Sequence, residues 1–264
     1  MLINPRRLFG FMYLDFKDWL KYKYELFFWL LNTLIGAVTY AYLGSNVVLK
    51  ETGILEKYGS FLAFILIGVA YNYIIYASID APRTAINPWN LMWNLLVPAN
   101  LVEVVLGSIL FRYFIGMFQF LMYLMVAFFF GVAFRINIVS TFFAIAVGSL
   151  IMWGLGMISA GVQIITKRWD PVTWFFTMLG GFLSGVWFPY QLLPEFLQNL
   201  SKIFPQTYIL EMLRRAMLRG EGLYQMLDLL APLFISAIII LSIGIKVYLA
   251  SIEYAKEKGT VGEY

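Results

Sequence analysis

Six long apolar stretches, none carrying more than one charge, occupy most of this chain: 26–43, 60–79, 104–134, 138–165, 172–188 and 229–250. A helix rises about 1.5 Å per residue and a hydrocarbon core is about 30 Å thick, so about 20 apolar residues make one crossing. Lipid supplies no water to peptide groups, so each stretch must close its own backbone hydrogen bonds as a helix. The pattern predicts an all-α membrane protein with six transmembrane helices. Hydrophobic residues form 61% and charged residues 13% of the chain, against about 45–50% and 25% in soluble domains. A length of 264 residues then fits a single transmembrane domain over 1–264, without a separate soluble domain of about 100 residues.

The chain contains neither Cys nor His. Thiol nucleophiles, imidazole catalysis and Cys/His zinc sites are thereby excluded, and no metal site is expected. No Gly-x-x-x-x-Gly-Lys-Ser/Thr phosphate cradle is present, so no ATPase site of that kind lies in this chain. The net charge of +4 is modest and reads as membrane topology; no nucleic-acid partner is expected. Charged residues precede the first apolar stretch and no small-residue cleavage pattern follows it, so the first span is expected to stay in the mature protein.

Six spans put both termini on one side. Arg6, Arg7, Lys17, Lys21, Lys23, Arg83, Lys167 and Arg168 then share that side, against Lys50, Lys57 and Arg135 in the short opposite connections. The positive-inside rule makes the first side cytoplasmic, and the expected location is a cell (plasma) membrane. Residues 5–24 place Leu8, Met12, Phe16, Trp19 and Leu20 at helical spacing among charges, which predicts an N-terminal interfacial helix. Residues 86–98, bounded by prolines and rich in Trp and Leu, read as a short cytoplasmic helix. Residues 189–227 hold two short helical patterns separated by Pro205. Each is too short to cross, so they predict a re-entrant helical hairpin between the fifth and sixth spans.

The run Gly185-Val186-Trp187-Phe188-Pro189-Tyr190-Gln191-Leu192-Leu193-Pro194, followed by Pro205-Gln206-Thr207-Tyr208 and Glu211-Met212-Leu213-Arg214, resembles the signature of type-2 ATP-binding-cassette (ABC) exporter permeases. The C-terminal 255–264 is similar to the tails of daunorubicin-resistance-type permeases. Many members carry acidic residues before the third span, whereas Asn90–Pro98 has none. The resemblance implies a permease that pairs with a second copy of itself or a paralogous permease within membrane lipid. It would dock a separate ABC ATPase subunit, with ATP and Mg bound on that partner and no cofactor on this chain. It further implies outward transport of an amphipathic or hydrophobic drug or lipid, with a lipid-linked polysaccharide as the alternative.

On that reading the ATPase-coupling residues are Trp89, Leu91, Met92, Trp93, Leu95 and Leu96 with Arg168, Trp169 and Asp170. Phe188, Pro189, Glu211, Arg214 and Arg215 form an exit gate, where Glu211 and Arg215 stand at i,i+4. Trp29, Tyr40, Tyr73 and Tyr76 present flat faces to a substrate pathway. Arg112 has two readings, a partner across the bundle or a side chain snorkelling to headgroups; Lys246 reads as a snorkelling anchor. Gly181 with Gly185, and Gly156 with Ala160, read as close-packing faces. An ion-coupled secondary transporter is disfavoured because the acidic residues lie in connections and at span edges. A membrane enzyme lacks its reactive groups.

Overall fold

Apolar runs without internal breakers fold as helices, and no strand occurs among the described residues. The computed structural model describes residues 4–46, 58–85, 101–166 and 170–258. Helix α1 spans Pro5–Lys21 and opens on Asn4, whose side chain accepts the Arg6 amide at 3.0 Å, a standard N-cap ahead of a first-turn proline. Tyr22 (φ −89°, ψ 66°) breaks the helix, and α2 follows over Lys23–Asn46. Three long helices come next: α3 (Phe61–Ala85), α4 (Leu101–Phe129) and α5 (Ile138–Thr166). A short helix α6 covers Pro171–Leu183, then α7 Glu195–Ser201, α8 Pro205–Arg214 and the long α9 Leu227–Glu257.

Five of these, α2, α3, α4, α5 and α9, are long and apolar enough to cross a membrane. The protein is an all-helical membrane protein. The stretch 172–188 differs from the expectation: its helix stops at Leu183 and is about 20 Å long. A π turn, Phe175–Leu179, widens its middle, and Gly185 takes a left-handed conformation (φ 82°) that ends it. Gly185 therefore lies outside the helix, and Gly181 with Gly185 is not a helix-packing face. The chain also stays helical through Pro82, to Ala85. The Thr84 hydroxyl on the Ala81 carbonyl (3.0 Å) and Arg83 on Asp80 (2.5 Å) hold that last turn.

Close approaches fix the helix directions. Arg112 meets Asp80, Gly116 meets Ala77 and Tyr123 meets Tyr73, so α4 runs antiparallel to α3. Gly148 meets Tyr71 and Gly156 meets Ile79, so α5 runs parallel to α3. Gly154 meets Ile240 while Gly161 meets Val247, so α9 also runs parallel to α5. The chain between them must therefore return along the bundle. We call the end where α3, α5 and α9 finish proximal, and the other distal.

α3 is the central helix: 78% of its apolar window is buried, against 17% for α2 and for α9. Its neighbours meet around Tyr71, Ile74, Ile79, Tyr123, Ile151 and Met152, all at most 1% exposed. The outer faces of α2 and α9, including Phe28, Ile35, Ile235 and Ile239, remain exposed, as a lipid-facing surface requires. α1 packs Leu8, Phe11 and Met12 around Gly107 of α4 and sets Phe16 edge-on to Phe114. The expected stripe thus faces protein, except Leu20, which is exposed together with Phe9, Tyr13 and Leu14.

Candidate functional site

The return segment carries the quoted signature, and its ends lie at different depths. At the start of α8, Gln206 donates to the Phe176 carbonyl (2.8 Å) and approaches the sulfur of Met152, the midpoint of α5, at 4.0 Å. At its far end Arg214 reaches the first turn of α3. The 195–205 turn therefore sits halfway along the bundle, and α8 climbs from there to the distal end. Side chains staple the turn: Gln198 bonds the Gln191 and Leu193 carbonyls at 3.0 and 2.8 Å, and the Thr207 hydroxyl bonds the Ser201 carbonyl at 2.7 Å.

Arg214 is the anchor of this segment, with only 3% exposed. Its Nη2 donates to the carbonyls of Phe64 (3.1 Å), Gly185 (2.7 Å) and Val186 (3.5 Å). Its guanidinium carbon lies 3.4 Å from the Phe64 ring centre, a cation–π contact at a buried site. One side chain thus ties the end of α6, the start of α3 and the end of α8. Gly68 makes the room, because a Cβ there would overlap the Val186 carbonyl and stand 2.6 Å from Nη2.

The other expected gate residues surround this anchor. Pro189 is buried, and Phe188 sets its ring edge-on to Phe182 at 5.3 Å. Glu211 accepts the Tyr58 hydroxyl, and burial, followed by the neighbouring Glu211 charge, pushes that phenol upward. Arg215 engages Glu221 at 2.6 Å and Asp228 at 3.7 Å. Beyond it a π turn, Arg215–Arg219, offers the Ala216 and Met217 carbonyls to the amides of Asn137 and Arg135, each at 2.9 Å. The α4–α5 connection is thereby pinned to the end of α8.

At the proximal end four charges alternate. Arg112 lies 3.7 Å from Asp80, Asp80 accepts Arg83 at 2.5 Å, and Arg83 reaches Asp170 at 3.1 Å. Arg112 thus has a partner across the bundle while 49% of its side chain stays exposed, which joins both readings of it. Asp170 caps α6, accepting the Thr173 amide at 3.0 Å and the Ser159 hydroxyl of α5. Burial pushes the Asp170 carboxyl up, but the bonds from Ser159, Thr173 and Arg83 outweigh it, so it lies below the ordinary 3.8.

The sign follows from that depression: the contribution to stability is complete above pH 3.8 and is lost as pH falls through the folded value. Asp170→Asn is expected to cost about 1–3 kcal/mol at neutral pH, the range for a buried hydrogen-bonded acceptor. Thermal unfolding at pH 7 and near pH 3 measures it. A difference between wild type and variant that does not shrink in acid would refute the assignment.

Of the expected coupling residues, Asp170 alone lies in the described structure. Trp89, Leu91, Met92, Trp93, Leu95 and Leu96, with the whole 86–98 helix, and Arg168 and Trp169 lie outside the described residues. The expected pathway aromatics separate into two groups. Trp29 stacks on Phe118 (6.0 Å) near the proximal end, whereas the Tyr73 hydroxyl bonds that of Tyr123 (3.1 Å) deeper in. Tyr40 packs against the core around that pair, and Tyr76 is 39% exposed.

Tyr58, Gly68, Asp80, Ser159 and Thr173 are not among the residues the sequence points to, and Arg83 is there only as a topology charge. Asp80 and Arg83 at i,i+3, and Asp170-Pro171 as an N-cap with a first-turn proline, were signals available for part of the cluster. Tyr58 and Gly68 carry no local signature. The sequence matches no known family model and no curated protein.

Proposed function

We propose that this chain is the permease subunit of an ATP-driven exporter of the type-2 ABC kind, moving an amphipathic drug or lipid outward by alternating access. The observation that carries the reading is the 190–219 segment: its turn lies at the depth of Met152 and its far end is tied to α3 through Arg214. Such broken helix at membrane depth is tolerated where protein covers it, and it makes a natural plug for the distal mouth. On this reading α6 with residues 184–189 is the fifth of six crossings, and 189–227 re-enters from outside. The parallel course of α5 and α9 supports a return crossing between them.

The termini lie in the cytoplasm of a plasma-membrane protein. Two copies form the transport unit, and a separate ATPase subunit, holding ATP and Mg, docks against 86–98 and the 167–171 turn. Closure of the ATPases pulls on Asp170, which passes the movement through Arg83 and Ser159 to α3 and α5.

Purification from native membranes tests this directly. The wild-type eluate is expected to hydrolyse ATP through a co-purified subunit, and deletion of residues 89–96 to lower that activity at least tenfold at equal permease recovery. A wild-type eluate without hydrolysis overturns the reading. Because the chain lacks cysteine, single-cysteine variants report topology without background. Tyr224→Cys is expected to label only from outside and Glu257→Cys only from inside; labelling from one side overturns the six crossings.

A further inference from the structure

Where α1 ends at Tyr22, a cavity of about 410 Å³ opens at the proximal end between α1, the start of α2 and α4. That volume suits a small ligand or a lipid headgroup. Its wall carries charges of both signs. Asp18 is held by Lys21 at 2.8 Å, but Asp15 and Glu25 have no ion pair within 4.0 Å among the described residues. On the same wall Arg112 makes, among the described residues, a loose 3.7 Å contact with Asp80. Burial pushes the Asp15 carboxyl upward, opposed by the Ser108 hydroxyl and the Arg112 charge, so a cation arriving beside it would be favoured.

The remaining wall is aromatic. Trp19 stands edge-on to Trp29 at 5.4 Å and to Phe111 at 6.2 Å, giving faces over which an ammonium is attracted. Past the mouth, Trp29 stacks on Phe118 at 6.0 Å and Phe114 is exposed. An apolar track thus leads from the cavity along α4, where an acyl chain can lie.

A simple anion would meet the Asp15 and Glu25 carboxylates, and a simple cation would meet the Arg112 guanidinium. A ligand carrying a phosphate and an ammonium on adjacent atoms satisfies both. A primary ammonium brings three donors to Asp15 and Glu25, whereas a trimethylated one brings none. We propose that this cavity binds the phosphoethanolamine headgroup of a membrane lipid, the phosphate on Arg112 and the ammonium between Asp15 and Glu25. The apolar track beyond Trp29 favours the lipid over the same headgroup free in solution. The site stands apart from nucleotide-driven transport, because binding alone reveals it.

Native mass spectrometry of the delipidated full-length protein, offered equal amounts of phosphatidylethanolamine, phosphatidylcholine and phosphatidylglycerol with identical chains, tests the proposal. The ethanolamine lipid is expected to be retained at least fivefold over the other two. Glu25→Gln, at an exposed position in the first turn of α2, keeps the fold and is expected to abolish the preference over phosphatidylcholine; Arg112→Gln is expected to lower retention of all three. Soluble phosphoethanolamine at millimolar concentration is expected not to displace the lipid. Equal retention of the three lipids by the wild type, or an unchanged preference in Glu25→Gln, overturns the site. Displacement by the soluble headgroup overturns its assignment to a lipid.

Discussion

Arg214→Ala is expected to destabilise the protein by about 3–5 kcal/mol, the range for removing one partner from a buried, hydrogen-bonded charge. Deletion leaves the Phe64, Gly185 and Val186 carbonyls without their shared donor in a buried site. It also removes the cation from the face of Phe64, at 3.4 Å. Arg214→Lys is expected to recover less than half of the loss, because one ammonium cannot copy the planar fork over the ring. Gly68→Ala is expected to act in the same direction, since its methyl group enters the space that Nη2 and the Val186 carbonyl occupy. Thermal unfolding in nanodiscs, followed by tryptophan fluorescence, measures all three. A melting temperature for Arg214→Ala within about 2 °C of wild type would remove Arg214 as the anchor.

Gly244→Val is the second large effect. A Cβ at Gly244 would overlap the Gly154 carbonyl and stand 2.9 Å from its Cα, so the α5 and α9 backbones touch there. Overpacking costs about 1–3 kcal/mol where side chains can yield; here backbone faces backbone, and the cost is expected at or above the top of that range. Close helix approach is also the source of association in lipid, where apolar burial drives little. The expected result is a loss of most monodisperse protein on size exclusion, with Gly244→Ala intermediate. Ile243→Val, at an exposed neighbour, is the control and is expected to behave as wild type. Equal yields for Gly244→Val and the control would show that the two helices separate without penalty.

The long helices were legible because lipid removes the alternatives: an apolar run of the right length closes its own hydrogen bonds as a helix. Expectation and structure agree for 26–43, 60–79, 104–134, 138–165 and 229–250 to within a few residues at most ends, with α9 extending to Glu257. Stretch 172–188 shows where composition stops being informative. Its hydrophobicity predicts one helix to Phe188, but the helix ends at Leu183, because the left-handed turn at Gly185 and the carbonyls held by Arg214 belong to tertiary structure. The two short helices α7 and α8 are readable from Pro194 and Pro205, which occupy the N-cap of α7 and the first position of α8.

The site was legible in residue identity and not in pairing. Glu211 and Arg215 share a helical face, yet Glu211 takes the Tyr58 hydroxyl, 153 residues away in sequence, and Arg215 takes Glu221. Contacts of such separation depend on helix depth and rotation, which periodicity does not encode. Asp170 is the intermediate case. Its capping role is local and readable, whereas its bonds to Arg83 and Ser159 arise because α3 and α5 run side by side.

Two of the three segments that meet at Arg214 contain a π turn, Phe175–Leu179 in α6 and Arg215–Arg219 after α8. Each such turn stores one surplus residue relative to ordinary α winding. Rewinding either one rotates everything downstream by about 100° and slides it by about 1.5 Å without unfolding a helix. The carbonyls of Ala216 and Met217, which now hold the α4–α5 connection, would turn with it. The chain on either side of this buried cation therefore contains its own slack, and rewinding either π turn would shift it by one residue without breaking a helix.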